Sequence, residues 1–171
     1  MRNIKDELNL KQKKVLLRLD LNVPLDNEKI TDTTRIDKIL PTINFLLEND
    51  AKIIILSHVG RPKGKIINAL SLKPICENLK KKLNENIKLI RKSLKEIDSS
   101  DLFSNQDEKI VMLGNLRFYE EEEENNNEFA KHLASLADIF PIFFPTTLVK
   151  EESTIAEAEL WLKLIDTSCS F

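Results

Sequence analysis

A loop in the middle of the chain combines side chains that suit the binding of an anion. Residues 57–64 read Ser-His-Val-Gly-Arg-Pro-Lys-Gly and directly follow the apolar run 53–56. The loop therefore presents an imidazole, a guanidinium and an ammonium beside two glycines. Arginine suits a carboxylate or a phosphate because its planar guanidinium donates two parallel hydrogen bonds to either group. We interpret this loop as part of an anion-binding site.

Two further segments have the same order of an apolar run followed by polar residues. Residues 18–24 follow the run 15–17, and residues 114–118 follow the run 110–113. Each run has the length and composition of a buried strand. In parallel α/β sheets, ligands bind at the carboxyl ends of the strands. The three polar loops are therefore predicted to form one site.

The hydrophobic pattern predicts the elements that position these loops. Apolar runs and helical repeats predict strands at 15–19, 52–56, 87–90 and 109–113, the start of a fifth strand at 137–140, and helices at 32–48, 71–83, 93–103 (a short helix and loop) and 127–136. Strands that alternate with helices indicate an α/β fold, a Rossmann-like parallel sheet with helices on both faces. Pro41 lies inside the first helix and is expected to kink or locally break it.

The candidate site residues combine cationic groups with short polar side chains. They are Asp20, Asn22, Arg35, His58, Arg61 and Arg117. Four cationic or potentially cationic groups in one cleft match a small, multiply charged anion, such as a sugar phosphate or a phosphorylated hydroxy acid. Asp20 and Asn22 would either orient hydroxyl groups of the ligand or hold the arginines in place.

Each of these residues also has an ordinary structural interpretation. Asp20 and Asn22 suit a turn at the end of a strand, and His58 could hydrogen-bond within its own loop. Arg117 could pair with the acidic run 120–124, and the other two arginines could be solvated surface residues. The acidic run itself is expected to be a solvated loop and the start of a helix.

Composition excludes several classes of function. The chain has 171 residues, of which 42% are hydrophobic, and a net charge of −2, so no overall charge attracts it to nucleic acid or to a membrane. It has three glycines and neither a G-x-G-x-x-G nor a G-x-x-x-x-G-K-[ST] motif, which argues against a generic nucleotide-binding domain. Two cysteines give neither a disulfide framework nor a metal-ligand spacing and indicate a cytoplasmic protein.

Six motifs together point to a known family. In chain order they are Leu-Arg-Leu-Asp-Leu-Asn-Val-Pro at 17–24, Ile-Thr-Asp-Thr-Thr-Arg-Ile at 30–36, Ser-His-Val-Gly-Arg-Pro-Lys-Gly at 57–64, Ser-Leu-Lys-Pro at 71–74, Asn-Leu-Arg-Phe at 115–118 and Leu-Ala-Asp-Ile-Phe at 136–140. In wording, order and spacing they resemble the N-terminal lobe of the phosphoglycerate kinase family. The resemblance runs from about residue 3 to residue 140.

The resemblance implies a kinase of glycolysis and gluconeogenesis. Such an enzyme transfers a phosphoryl group reversibly between 1,3-bisphosphoglycerate and ADP, giving 3-phosphoglycerate and ATP. Family members have two lobes: the N-terminal lobe binds the glycerate, and the C-terminal lobe binds Mg-ADP or Mg-ATP. By position, the glycerate would be bound by Asp20, Asn22, Arg35, His58, Arg61 and Arg117. Arg35 would be the catalytic residue, because it would stabilise the phosphoryl group during transfer.

The sequence departs from the family pattern after Phe140. Residues 141–147 read Pro-Ile-Phe-Phe-Pro-Thr-Thr, and Pro141 argues against a continuing strand because it has no N–H to donate. The family pattern has one more substrate arginine here, whereas Arg117 is the last arginine of this chain. We therefore expect an incomplete glycerate-binding lobe at 1–140 and a divergent tail at 141–171, with an amphipathic helix at about 150–165.

Three hypotheses for function remain open on the sequence. No nucleotide or metal site is identifiable in it, so we expect the chain alone to be a catalytically incomplete phosphoglycerate kinase. Alternatively, the chain is a module that binds a phosphorylated acid, or one half of a split kinase that is completed by a separate nucleotide lobe. In the third hypothesis it is a fragment without function, whose incomplete sheet exposes an edge.

Overall fold

A parallel sheet organises the part of the chain that the computed structural model describes, residues 9–139. The elements, in chain order, are β1 (Lys14–Arg18), β2 (Leu25–Asp26), β3 (Lys29–Ile30), α1 (Thr34–Glu48), β4 (Lys52–Leu56), α2 (Lys73–Leu83), β5 (Ile87–Leu89), α3 (Ser99–Leu102), β6 (Ile110–Met112), α4 (Glu120–Glu123) and α5 (Asn127–Ala134). Short 3-10 turns lie at Asn68–Leu70 and Leu116–Phe118. The predicted tail helix at 150–165 lies outside the described residues.

The sheet has the strand order β1-β4-β6-β5, and all its neighbouring strands are parallel. In this register Leu16 lies opposite Ile54, which lies opposite Val111. Ile139 forms a parallel bridge with Val15 at the remaining edge of β1, and its carbonyl accepts a 2.9 Å hydrogen bond from the Leu16 N–H. The predicted fifth strand therefore begins where the sequence placed it, although Phe140 lies beyond the described residues.

Both faces of the sheet are buried, as the continuous apolar strands predict. Along β4, Ile53 and Ile55 pack into one core with residues of α1 and α2, whereas Ile54 packs into a second core with residues of α3 and α5. Successive side chains of a strand point to opposite faces, so one apolar run supplies both cores. The predicted α/β fold with helices on both faces is confirmed. Within residues 9–139, no helix is both long and apolar enough to cross a membrane.

The first helix continues through its proline. Of the two expected effects of Pro41, the local break is wrong, because α1 is uninterrupted from Thr34 to Glu48, and the kink stays a prediction. Proline removes one N–H from the helix and so leaves the carbonyl four residues earlier without its usual partner. Pro41 and Asp37 are both exposed. Water can therefore hydrogen-bond that carbonyl, while Ile36, Ile39, Ile43 and Leu46 keep the opposite face of the helix buried.

Two small elements were not predicted from the sequence. The strands β2 and β3 pair as an antiparallel hairpin, in which Leu25 lies opposite Ile30. Its turn residues Asn27 and Glu28 have φ values of 47° and 63°, the left-handed geometry that suits a two-residue hairpin turn. Each strand has only two residues, which is too short for an alternating pattern to be recognised.

A buried asparagine joins the loops that follow β4 and β6. The Asn115 side chain donates to the carbonyls of Val59 and Leu70, at 2.8 and 2.9 Å, and its oxygen accepts from the Arg117 N–H at 3.1 Å. Only 1% of Asn115 is exposed. Because buried polar groups are costly when unpaired, this one side chain fixes the relative position of three backbone segments.

The substitution Asn115→Ala should lower the free energy of unfolding by about 2–4 kcal/mol, since the carbonyls of Val59 and Leu70 and the amides of Val59 and Arg117 lose their contacts with this side chain. Urea denaturation followed by circular dichroism measures this difference. The matched control is Asn86→Ala at an exposed position, for which we expect a change of less than about 0.5 kcal/mol. Equal stabilities of the two variants would show that Asn115 does not join the loops.

Candidate functional site

The three polar loops meet at one edge of the sheet because β1, β4 and β6 are neighbours and parallel. Ser57 connects the first two loops: its hydroxyl donates to the Leu19 carbonyl at 2.8 Å and accepts from the Leu21 N–H at 3.2 Å. Its own carbonyl accepts a 3.1 Å hydrogen bond from the Leu116 N–H. The backbone of the candidate site is thus built from contacts between loops that are far apart in sequence.

Asn22 anchors the loop that carries His58 and Arg61. Its side-chain oxygen accepts a 3.0 Å hydrogen bond from the Gly60 N–H. Gly60 has a φ of +68°, and a Cβ atom there would lie 2.7 Å from a methyl carbon of Leu70. A glycine is therefore required at this position for two reasons, backbone conformation and space. The Asn22 side chain binds protein backbone in this structure.

Arg35, the second residue of α1, forms an ion pair with Asp20. The two side chains are 39% and 40% exposed, so a ligand can reach both. The sequence left open whether Asp20 orients a ligand or holds an arginine, and here it holds Arg35. The pair combines a residue from the loop after β1 with the first turn of the following helix.

A second ion-paired group joins the end of β1 to α4. Arg18, the last residue of β1, contacts a carboxylate oxygen of Glu122 through Nη2 at 2.6 Å. The other carboxylate oxygen of Glu122 lies 3.8 Å from Nε of Arg117. These side chains are 21%, 8% and 15% exposed for Arg18, Glu122 and Arg117. The expectation that the acidic run is solvated is therefore wrong for Glu122, because Arg18 and Arg117 provide charges that allow its burial.

Arg18 and Glu122 are not among the site residues predicted from the sequence. Arg18 lies inside the motif at 17–24. Its position as the last strand residue before the polar loop is a signal from which it could have been predicted as a site residue. Glu122 lies in a run of five acidic residues, and composition does not distinguish the member that turns inward. Its neighbour Glu121 pairs with Lys95, and Glu123 is exposed.

His58 lies within the field of three arginines. Burial, together with the guanidinium groups of Arg117, Arg18 and Arg35, lowers the pKa of His58 from 6.5 to about 3. Both causes act in the same direction, because burial and nearby positive charge each disfavour an imidazolium ion. At neutral pH the ring is therefore uncharged and can donate one hydrogen bond and accept another. Arg18, Arg35, His58 and Arg117 are hereafter called the cationic cluster.

Arg61 is the candidate that the structure does not join to this cluster. Its side chain is exposed, and within residues 9–139 it is not among the groups that shift the pKa of His58. Its loop is nevertheless attached at both sides, through the Gly60 amide to Asn22 and through the Gly64 amide to the Arg117 carbonyl at 3.2 Å. The backbone of Arg61 is therefore held near the cluster.

A cavity of about 510 Å³ lies elsewhere, at the amino ends of the strands. It is lined by Gln12, Asp50, Ala51, Lys52, Gln106, Asp107 and Lys109. The cavity thus lies at the opposite edge of the sheet from the cationic cluster, so the two features suggest different places for a ligand. We assign the candidate site to the cationic cluster for two reasons. Three arginines lie together in the cluster, and the carboxyl ends of parallel strands are the usual place for ligands. The described residues include no group of three or more metal-binding side chains.

The uncharged state of His58 has a measurable consequence. With the pKa of His58 at about 3, its ring should not titrate between pH values of about 5 and 8. The ring resonances in an NMR pH titration test this, with His132 as the only other histidine and His58→Asn for assignment. The unfolded chain binds a proton that the folded chain does not, so the free energy of unfolding should rise with pH from about 3 to 6.5. A midpoint of about 6.5 in the folded protein would contradict this assignment.

Comparisons with known proteins agree with the motifs. The phosphoglycerate kinase family profile matches residues 5–156, which extends past Phe140. The chain is 44% identical over 138 residues to phosphoglycerate kinase of Dictyoglomus turgidum, covering 81% of this chain and 34% of that protein. It is 48% identical over 128 residues to the enzyme of Wolbachia pipientis, covering 75% and 32% respectively. The chain thus spans about a third of the length of these curated relatives.

Solved structures show the same similarity in three dimensions. Phosphoglycerate kinase from Coxiella burnetii superposes with a TM-score of 0.70 at 43% identity, over 80% of this chain and 33% of that one. The enzyme from Pyrococcus horikoshii gives a TM-score of 0.70 at 25% identity, over 97% and 44% respectively. Family profile, sequence identity and fold therefore agree: the chain belongs to the phosphoglycerate kinase family.

Proposed function

We propose that this chain provides the glycerate-binding lobe of a phosphoglycerate kinase and binds 3-phosphoglycerate or 1,3-bisphosphoglycerate. The observation that carries the proposal is the cationic cluster, in which three guanidinium groups act on one uncharged imidazole. Such a cluster suits a ligand with a carboxylate and a phosphate, since each group can accept charge-assisted hydrogen bonds from arginine. The lobe corresponds to residues 1–140, and residues 141–171 form a divergent tail.

The proposed roles follow from the positions of the side chains. Arg117 binds the anionic groups of the glycerate, and the exposed Arg61 folds over the bound ligand. The neutral His58 supplies a hydrogen bond without adding charge. Asp20 orients Arg35, and Asn22 keeps the His58 loop in place through the Gly60 amide. The Asp20–Arg35 and Asn22–Gly60 contacts exist before the ligand binds, which lowers the entropic cost of binding.

Arg35 is the proposed catalytic residue. Phosphoryl transfer depends mainly on positioning and on stabilisation of charge at the transferring group. The Arg35 side chain is 39% exposed and forms an ion pair with Asp20. It can therefore remain oriented by Asp20 while it donates hydrogen bonds to a phosphoryl group that arrives from solvent.

The nucleotide side of the reaction is assigned to a second lobe. Mg-ATP and Mg-ADP are the family's nucleotide substrates, and the residues of this chain offer neither a glycine-rich phosphate loop nor, within 9–139, a cluster of acidic side chains suited to a metal. We therefore assign no step to the nucleotide here. A nucleotide-binding lobe from outside these residues would complete a cytoplasmic enzyme.

Binding of 3-phosphoglycerate is the first expected outcome. Calorimetric titration of the chain with 3-phosphoglycerate should give saturable binding, whereas glycerate without the phosphate should bind at least about tenfold more weakly because it loses charge-assisted hydrogen bonds. Mg-ATP serves as the nucleotide control and should not bind. Binding without any transfer in the presence of a nucleotide lobe would favour a simple acid-binding module. Binding of none of the three compounds would favour a fragment without function.

Arg35→Ala should reduce phosphoryl transfer by about 100-fold or more in an enzyme completed with a separate nucleotide-binding lobe, since one charge-stabilising donor is lost. A coupled assay of ATP formation measures this. The control is Arg91→Ala, which removes an exposed arginine that follows β5. Unchanged turnover in Arg35→Ala, with circular dichroism confirming the fold, would remove Arg35 from the catalytic role.

A further inference from the structure

Ser57 follows β4 and is 0% exposed, and its hydroxyl contacts the backbone on both sides of one site residue. The hydroxyl donates to the Leu19 carbonyl at 2.8 Å and accepts from the Leu21 N–H at 3.2 Å. These two backbone groups lie immediately before and after Asp20. A single buried side chain from one strand end therefore holds the backbone around the acidic residue that pairs with Arg35.

The backbone that Ser57 contacts forms two successive γ-turns. The Leu21 N–H also donates to the Leu19 carbonyl at 3.1 Å, and the Val23 N–H donates to the Leu21 carbonyl at 2.8 Å. Hydrogen bonds from residue i+2 to residue i define γ-turns, so Asp20 and Asn22 are the central residues of these turns. The three apolar residues are buried, whereas the two central residues are only half-buried. The turns thus keep the apolar side chains in the core and the polar ones at the site.

The carboxylate of Asp20 has a different partner for each oxygen. Oδ1 accepts a 3.2 Å hydrogen bond from the Asn22 N–H, and Oδ2 forms the ion pair with Arg35. The backbone of Arg35 is fixed by α1, in which it is the second residue. The direction of its guanidinium therefore depends on where the γ-turn places the Asp20 carboxylate.

We propose that Ser57 is a positioning residue, which holds the γ-turn around Asp20 and thereby sets the direction of the Arg35 guanidinium. Because Ser57 is 0% exposed, a ligand does not reach it, and its effect passes through the ion pair. Misplacement of a reacting or stabilising group by about 1 Å can slow a reaction by about 100-fold. The inference deepens the proposed function, on which its catalytic consequence rests.

NMR spectroscopy of the full-length chain tests the link from Ser57 to the ion pair without any ligand. In Ser57→Ala, which removes only the hydroxyl oxygen, the carboxyl-carbon resonance of Asp20 and the Nε resonance of Arg35 should shift. The Leu21 amide should also exchange with solvent at least about tenfold faster, because it loses one of its two acceptors. Unchanged Asp20 and Arg35 resonances in a folded Ser57→Ala protein would overturn the inference.

Ser135→Ala is the matched control for this comparison. It also removes a serine hydroxyl that donates to a backbone carbonyl, at 2.7 Å, but this serine is exposed and follows α5. All three signals should stay as they are in the unmodified chain. If Ser57→Ala does not fold, Ser57→Cys takes its place, because a thiol is a weaker donor and acceptor at the same position. The same shifts are then expected at smaller size, and their absence counts against the inference.

Kinetics of an enzyme completed with a separate nucleotide-binding lobe test the catalytic consequence. Ser57→Ala should lower kcat at least about tenfold and change KM for 3-phosphoglycerate less than about threefold, because Arg35 acts mainly on the transferring group. In an Arg35→Ala background the same substitution should not lower kcat further, since Ser57 acts through Arg35. Unchanged kcat, or an equal loss in both backgrounds, would contradict the positioning role.

The two sets of measurements separate this inference from the proposed function. If the completed enzyme transfers no phosphoryl group, the proposed function fails, and the resonances of Asp20 and Arg35 still decide whether Ser57 holds the ion pair. If transfer occurs while Ser57→Ala changes neither the resonances nor kcat, the function stands and the positioning role fails.

Discussion

The mutual repulsion of like charges is the constraint on which this site depends. Arg18, Arg35 and Arg117 are close enough to act electrostatically on the same imidazole. Each guanidinium is brought there by a different element, and each has an acidic residue nearby, Asp20 for one and Glu122 for the other two. The sheet provides the rigid edge, because the loops that carry these charges are joined by buried hydrogen bonds from Ser57 and Asn115.

His58 shows the effect of this arrangement on a single group. A histidine near carboxylates would become a cation, whereas one among arginines remains neutral. The site therefore contains permanent positive charges, which arginine keeps at any physiological pH, and one neutral ring that both donates and accepts. Its charge is consequently insensitive to pH across the neutral range, and its response to an anion depends on geometry rather than on protonation.

The sequence predicted the strands and the meeting of the three polar loops at one sheet edge well, because both depend on local patterns. The residues 53–56 are apolar without interruption, and a strand buried on both faces needs that composition. The expected break at Pro41 came from the effect of proline on an isolated helix. The helix continues because Pro41 is exposed, and exposure is a tertiary property that the local sequence does not give. Arg18 and Glu122 could not be paired from the sequence, since they are separated by 104 positions and identical neighbours surround Glu122. The hairpin of β2 and β3 was missed because two-residue strands carry no periodicity.

The bridge between Val15 and Ile139 has a consequence for how the chain is made. The backbone N–H of Lys14 also donates to the Asp138 carboxylate at 2.8 Å, across a separation of 124 positions. During synthesis β1 is made well before residue 139, and within residues 9–139 the bridge to Ile139 is the pairing of this edge. Contacts of such long range form slowly because a large loop must close. This edge of β1 therefore waits for residues that are made 124 positions later, and until then an open strand edge can pair with another chain.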